Sequence, residues 1–463
     1  MERKNAWAAY AGDDGRVEAF AKAYCDFINN GKTERECVAY GEKLAKAHGF
    51  EDLNAVVRSG RKLEAGARVY ANWMGKSFML FVLGEKPLEE GMNILGAHID
   101  SPRIDVKQNP LYEDTDLAYL DTHYYGGIKK YQWVAIPLAL HGVIVRKTGE
   151  KVIINIGEDE NDPVFCISDL LVHLAQEQMT KNAKEVVEGE ALNLIVGGRP
   201  LEGEEKDAVK ANVLKLLADK YGVEEEDFLS AELEIVPAGK ARDMGFDRSM
   251  ILAYGHDDRV CAYPSMMAVL DYEGTPEYTL CCIVTDKEEI GSVGATGMAS
   301  HYLENTVAEL YACTADYCEL AVRRCLRNSR MLSSDVSAGY DPNFASAFEK
   351  KNSAFLGRGI CFNKFTGSRG KSGSIDANPE FMVSLRKIMD DAGVAFQTAE
   401  LGRVDLGGGG TIAYLCAKYG MNVIDSGIPV LSMHAPYEVI SKVDLYEGYR
   451  GYCAFLQGAK PVE

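Results

Sequence analysis

The sequence has no apolar run long enough to cross a bilayer. Its longest apolar stretches, WVAIPLAL at 133–140 among them, fall far short of the roughly 18 residues that a spanning helix needs. The opening segment, MERKNAWAAYAGDDGRVEAF, also lacks apolar continuity, so neither a secretory signal nor a membrane anchor is expected. Basic residues are outnumbered, 50 Lys and Arg against 69 Asp and Glu, for a formal net charge of -19. An acidic surface repels nucleic acid and the anionic face of a membrane, so neither is expected as a partner. None of the twelve cysteines forms a CxxC pair, the close spacing that a thiolate zinc site favours. A disulfide framework does not suit a chain this long, and the sequence carries no internal repeat and no low-complexity segment.

What is present suits a soluble globular enzyme: 47% hydrophobic and 26% charged residues. A length of 463 residues suggests two or three domains. Cys281 and Cys282 in YTLCCIV, Cys416 in AYLCAKYG and Cys453 in GYCAFL sit inside apolar runs. They read as small buried hydrophobes in a reducing compartment, the cytoplasm.

Helical spacing over 17–48 (Val17, Phe20, Ala21, Tyr24, Phe27, Ile28, then Val38–Ala47) predicts two helices, and 67–84 predicts a hairpin of strands. NILGAHID at 93–100 reads as a short strand ending in polar residues. Between about 105 and 245 the pattern changes to several strands (WVAIPLALHGVIV, KVIINIGED, LNLIVGG, AELEIVPAG), with helices expected near 168–180 and 205–220. This stretch resembles an insertion with its own small core. From about 250, strand and helix alternate again: TLCCIVTD as a buried strand, a helix starting in VGATGMASHYL, and helices at 376–393 and 411–418. That alternation favours an α/β sheet covered by helices.

Five short motifs stand at the ends of expected strands, where open α/β sheets bind ligands. In Gly96-Ala97-His98-Ile99-Asp100, the histidine can ligate a metal while the carboxylate orients it. A satisfied strand-end histidine is the alternative. In Tyr254-Gly255-His256-Asp257-Asp258-Arg259, two adjacent carboxylates repel and call for a positive neighbour, either Arg259 or a metal; His256 reads as structural. In TLCCIVTD-Lys287-Glu288-Glu289-Ile290-Gly291-Ser292, three acids crowd the end of an apolar strand. Adjacent strand residues point to opposite sides, so one glutamate can ligate while its neighbour faces water as a base, and Gly291 would permit close backbone approach. Asp335 in MLSSDV and His434 in PVLSMHAPYE are further ligand candidates, with a turn cap and a structural histidine as their plainer alternatives. Together these residues offer two histidines, three carboxylates and a spare glutamate, the inventory of a two-metal hydrolase.

In this order, GAHID, HDDR, DKEEIGS, SSD and MHAPYE resemble the motifs of the tetrahedral metalloaminopeptidases of the aspartyl aminopeptidase and aminopeptidase I family. The likeness covers nearly the whole chain and includes YGG at 125–127, KFTGSRGKSG at 364–373 and GGGGTIA at 407–413. It implies an α/β fold: a mixed-sheet, phosphorylase/hydrolase-like metallopeptidase domain at 1–104 and 246–463, interrupted at 105–245 by an inserted, mostly-β dimerisation domain. It implies two divalent metal ions per subunit, zinc first, with manganese or cobalt also acceptable. His98 and Asp335 would bind one ion, Glu289 and His434 the other, and Asp257 would bridge them; Asp258 stands where the family often has Asn. Glu288 would be the general base, with Asp100 supporting His98. Lys364 would lie in the substrate pocket, and Gly409 and Gly410 would line it.

The implied activity is removal of the N-terminal amino acid from peptides, with a metal-bridging water as nucleophile. Lys364, with Arg369 and Lys371 close in sequence, would favour acidic (Asp/Glu) N-terminal residues by charge pairing; on a solvated loop the same cations leave neutral, Leu-like residues open. The implied assembly is a homo-oligomer, a tetrahedral dodecamer built from dimers. The chain departs from many eukaryotic members in having Ala338 and Asp341 where they carry histidines. In the inserted domain, Asp169 aligns with a histidine that reaches a neighbouring subunit's site, while His173 aligns with a structural one. These departures touch specificity and the subunit contact, not the ligand set. A carboxypeptidase or amide deacylase would share the metals but not need a free α-amine. A non-catalytic shell protein would have lost the base or a ligand, and this chain has lost neither.

Overall fold

The structure is a computed structural model that describes residues 4–462, and the chain divides into two compact units. The first unit holds the chain up to Asp100, Ala241–Met433 and everything from Glu438 on; the second holds Ser101–Lys240 and His434–Tyr437.

The first unit is built on a nine-stranded sheet. Its strands run in the order Glu51–Asp52, Arg68–Trp73, Ser77–Val82, Thr279–Thr285, Met92–His98, Arg330–Ser334, Asn422–Gly427, Ile360–Asn363 and Phe396–Thr398. Met92–His98 lies parallel to both Thr279–Thr285 and Arg330–Ser334, and the latter is parallel to Asn422–Gly427. Every residue of Met92–His98 and of Thr279–Thr285 is buried, as expected where helices cover both faces of parallel strands. Side-chain alternation divides the core accordingly. Leu280, Cys282 and Val284 pack with the helices Gly15–Asn30, His256–Leu270 and Lys442–Gly458, whereas Cys281 and Ile283 pack with Leu53–Ser59, Tyr302–Thr314 and Glu319–Asn328.

The local signals explain these elements. Val17, Ala21, Tyr24, Phe27 and Ile28 form the buried stripe of Gly15–Asn30. Thr33 and Glu36 close a reciprocal capping box at the start of Glu34–Ala47. The 67–84 hairpin forms as Arg68–Trp73 against Ser77–Val82. Gly96 lies in close approach to the neighbouring strand, where a methyl group would force the end of the Met331 side chain to move. A smaller five-stranded sheet, in the order Arg242–Met244, Met250–Ala253, Glu438–Ser441, Pro429–Leu431 and Ser337–Ala338, completes the unit.

The second unit is a six-stranded antiparallel sheet in the order Lys151–Ile156, Leu138–Val145, Ala231–Pro237, Arg103–Asp114, Leu117–Tyr125 and Leu194–Gly197. The helix Ala208–Tyr221 packs on it.

Three local expectations are corrected. The helix expected near 168–180 is a series of turns with only a short 3₁₀ segment at Gln178–Thr180. Its apolar side chains stay in solvent, with Val172 and Leu174 68% and 69% exposed, so no core rewards helix formation. The stretch VGATGMASHYL is loop for most of its length, and the helix that it was expected to start opens only at its end, at Tyr302. Glu288 and Glu289 lie in a 3₁₀ turn, Glu288–Ile290, beyond the strand's end at Thr285, so the pleat does not set their directions.

Candidate metal centre

Parallel strands that start at one edge of a sheet deliver their C-terminal ends to the other. Met92–His98 ends in the ligand candidate His98, Thr279–Thr285 leads into Glu288 and Glu289, and Arg330–Ser334 leads into Asp335. Asp257 arrives from the start of His256–Leu270, where Asp257 and Asp258 are non-helical and joined by a cis peptide bond. The sheet thereby brings together side chains far apart in sequence.

The convergence centres on His98, which is 2% exposed. Its Nε2 lies 3.3 Å from Asp257 Oδ1 and 4.0 Å from Asp335 Oδ1. Its Nδ1 lies 3.0 Å from the Asp100 carbonyl oxygen and 3.3 Å from Asp100 Oδ1. Two ligand groups share this imidazole, His98–Asp257–Glu289 and His98–Glu288–Asp335, each with its donor atoms within 4.8 Å of one another. Asp100 does more than hold the imidazole. Its Oδ1 accepts from Glu288 N–H and its Oδ2 from Glu289 N–H, both at 3.1 Å. One buried carboxylate thus fixes the candidate ligand His98 and the backbone of both glutamates.

Supporting bonds fix the other donors. Asp257 N–H donates to Glu438 Oε2 at 2.9 Å, and Asp335 N–H to the Ser426 carbonyl at 2.9 Å. His256 is structural: buried, with Nδ1 2.7 Å from the Tyr24 hydroxyl and Nε2 3.2 Å from the Ile251 carbonyl, its pKa pushed down to about 3 by burial. Arg259 is buried and donates to the carbonyls of Ile99 and Lys32. Gly291 adopts a φ of 95° with open space around its Cα, so it serves the turn and not the close approach expected of it.

The electrostatics fit a cation. Burial opposes charge on His98, but its hydrogen bonds to Asp100 and Asp257 and the charges of Asp100 and Asp335 outweigh burial and raise its pKa. Burial pushes Asp258 up to about 8, and burial together with the Glu288 charge raises Asp335. Carboxylates this crowded resist ionising together, and a divalent ion held by an imidazole nitrogen and carboxylate oxygens relieves the crowding. The donor set therefore suits zinc, and suits manganese or cobalt as well.

Neither ligand group includes His434, which belongs to the second unit and has Nδ1 2.8 Å from the Gly127 carbonyl oxygen. Lys364 is 48% exposed, with Nζ 3.8 Å from Asp376 Oδ1. Lys371 reaches the same carboxylate at 2.9 Å and lies over the Phe365 ring. Gly409 and Gly410 lie in the loop before the helix Ala413–Ala417. Sequence reasoning missed Asp425, a buried carboxylate whose Oδ1 accepts from the Thr411 hydroxyl at 2.5 Å. Its only sequence signal is an acid inside the apolar run NVIDSGIPV.

Comparison with known proteins identifies the family and fold. The model of the aminopeptidase I zinc metalloprotease (M18) family matches residues 27–456. A probable M18 family aminopeptidase 1 of Clostridium acetobutylicum is 58% identical over 459 residues, 98% of each chain. The crystal structure of an M18 family aminopeptidase from Thermotoga maritima superposes with a TM-score of 0.94 at 43% identity, covering 99% of this chain and 100% of that one. The structure of the S. cerevisiae mApe1 dodecamer shares the fold, with a TM-score of 0.75 at 21% identity over 95% of this chain and 96% of that one.

Proposed function

The chain belongs to the aminopeptidase I zinc metalloprotease (M18) family, and on that premise we propose how its residues divide the work of removing an N-terminal amino acid from a peptide. His98 and Asp335 would hold one zinc ion and Glu289 and His434 the other, with Asp257 available to both. When bound, the ions supply Lewis acidity toward the scissile carbonyl and the attacking water. Glu288 takes the water's proton on its carboxylate and passes it to the leaving amine. Asp100 positions His98, Glu288 and Glu289 together. Lys364, Gly409 and Gly410 line the pocket for the N-terminal side chain.

The observation that carries this proposal is the pair of ligand groups meeting at His98 while Asp100 holds the backbone of base and ligand alike. Two lysines sharing one carboxylate leave a cationic excess, which supports acidic N-terminal residues. Because Asp376 already pairs with both, neutral, Leu-like residues remain a second reading. The second unit, which holds Ser101–Lys240 and so most of the expected insertion 105–245, would serve as the dimerisation domain of a homo-oligomer, a dodecamer built from dimers. Its exposed apolar run, Leu170, Leu171, Val172 and Leu174, supports a buried subunit contact. No helix among the described residues is long and apolar enough to cross a membrane, and twelve free cysteines suit the cytoplasm.

The test is a panel of aminoacyl chromophores carrying Asp, Glu, Leu or Lys, with N-acetylated controls, on enzyme stripped of metal and reloaded with zinc, manganese or cobalt. Metal-dependent release from free-amine substrates alone is expected, and the Asp/Leu ratio decides between the two specificities. Equal release from acetylated controls points instead to an amide deacylase or carboxypeptidase.

A further inference from the structure

Asp425 is 1% exposed and lies on the strand Asn422–Gly427, in register with Ser333, two residues before the ligand Asp335, and with Asn363, the residue before Lys364. Its two oxygens face different loops. The Thr411 hydroxyl of the 407–413 loop donates to Oδ1 at 2.5 Å, and the Thr366 hydroxyl of the 364–373 loop reaches Oδ2 at 3.5 Å. The Thr411 oxygen also accepts from Ala413 N–H at 3.2 Å, so this hydroxyl is oriented from both sides.

The loops themselves meet backbone to backbone. Gly408, at φ 102°, leaves no room for a side chain against Gly367 and Ser368, and the 364–373 loop closes on itself through paired backbone bonds between Ser368 and Ser372. Burying a carboxylate is costly, and a packing role alone would be met by an apolar residue. Burial pushes the Asp425 carboxyl up to about 7, while its two hydroxyl partners pull it down and the Glu288 charge raises it.

We infer that Asp425 is a positioning residue that pins the 364–373 and 407–413 loops to the ligand-bearing strand and thereby sets selection of the N-terminal side chain; this rests on the proposal that those loops line the substrate pocket. The test uses the full zinc-loaded chain and the variants Asp425→Asn, Thr411→Val and Thr411→Ser. Asp425→Asn and Thr411→Val should raise KM about tenfold with kcat within about threefold and zinc content unchanged. Both should speed tryptic cleavage after Arg369, Lys371 and Arg403 by about tenfold, because pinned loops open rarely. Thr411→Ser, which keeps the hydroxyl, should stay within about twofold of the parent, and Asp425→Asn combined with Thr411→Val should be no worse than Asp425→Asn alone.

Unchanged KM and unchanged tryptic rates in Thr411→Val would overturn the inference, and so would a Thr411→Ser variant as impaired as Thr411→Val. If Asp425→Asn fails to fold, Thr411→Val and Thr411→Ser still decide it. If the parent chain releases no amino acid from any free-amine substrate, the proposed activity fails, while the tryptic rates still decide whether Asp425 anchors the loops.

Discussion

The ligand-bearing strand ends and the 364–373 loop belong to the same compact unit but are held by different means. His98 and Asp100 are buried at the end of a fully buried parallel strand, and Asp100 alone restrains an imidazole and two backbone N–H groups. Lys364 and Lys371, by contrast, are about half exposed and lean on a single exposed carboxylate, Asp376. On the proposed assignment, chemistry is anchored in the sheet, where one displaced atom disturbs several partners, and selection of the substrate is left to side chains that can change without disturbing the sheet.

The comparison breaks or sharpens in four substitutions. Glu288→Gln should lower kcat roughly 10²–10⁴-fold with zinc content intact, measured by steady-state kinetics and elemental analysis; near-normal turnover would remove the general base from the sheet side of the contrast. Asp100→Asn should cost about 10–100-fold in zinc affinity or activity, since it loosens ligand and base together. Zinc titration of the stripped variant reads this directly. Lys364→Met should lower the Asp-over-Leu ratio of kcat/KM by about tenfold while Leu turnover stays within about twofold. A loss shared equally by both substrates would mean that the loop shapes the chemistry after all. Lys371→Ala should shift folding stability by no more than about 0.5 kcal/mol in denaturant titration, because exposed ion pairs contribute little.

The sequence showed most where local pattern and burial agree. TLCCIVTD is legible because seven consecutive buried residues need apolar side chains on both faces of the strand. Four of the five motifs supply the side chains that converge on His98, because a cluster able to hold a metal draws on few residue types. The strands Arg103–Asp114 and Leu117–Tyr125 were not anticipated: Lys107, Gln108, Asn109 and Pro110 interrupt the apolar alternation of the first, and the register shifts between Val106 and Leu111. The stretch at 168–180 misled in the opposite direction, with apolar residues at helical spacing that no described part of this chain buries. The glutamate pair was placed correctly at the end of its strand for a wrong geometric reason, since a 3₁₀ turn and not the pleat orients it. Asp425 went unseen because its importance lies in two hydroxyls that approach it from loops distant in sequence, and no local spacing encodes that.

The scattering of His98, Asp257, Glu289 and Asp335 along the chain has a consequence for biosynthesis. The strand ending in His98 finds its parallel neighbours only after Thr279–Thr285 and Arg330–Ser334 have left the ribosome. Until then a zinc ion meets isolated side chains that hold it weakly, because the site does not exist before the sheet closes. On the proposed ligand set, metal capture therefore follows closure of the sheet, late in maturation. Nascent chains arrested before Asp335 should emerge from gel filtration without zinc, and released full-length chains should emerge with it.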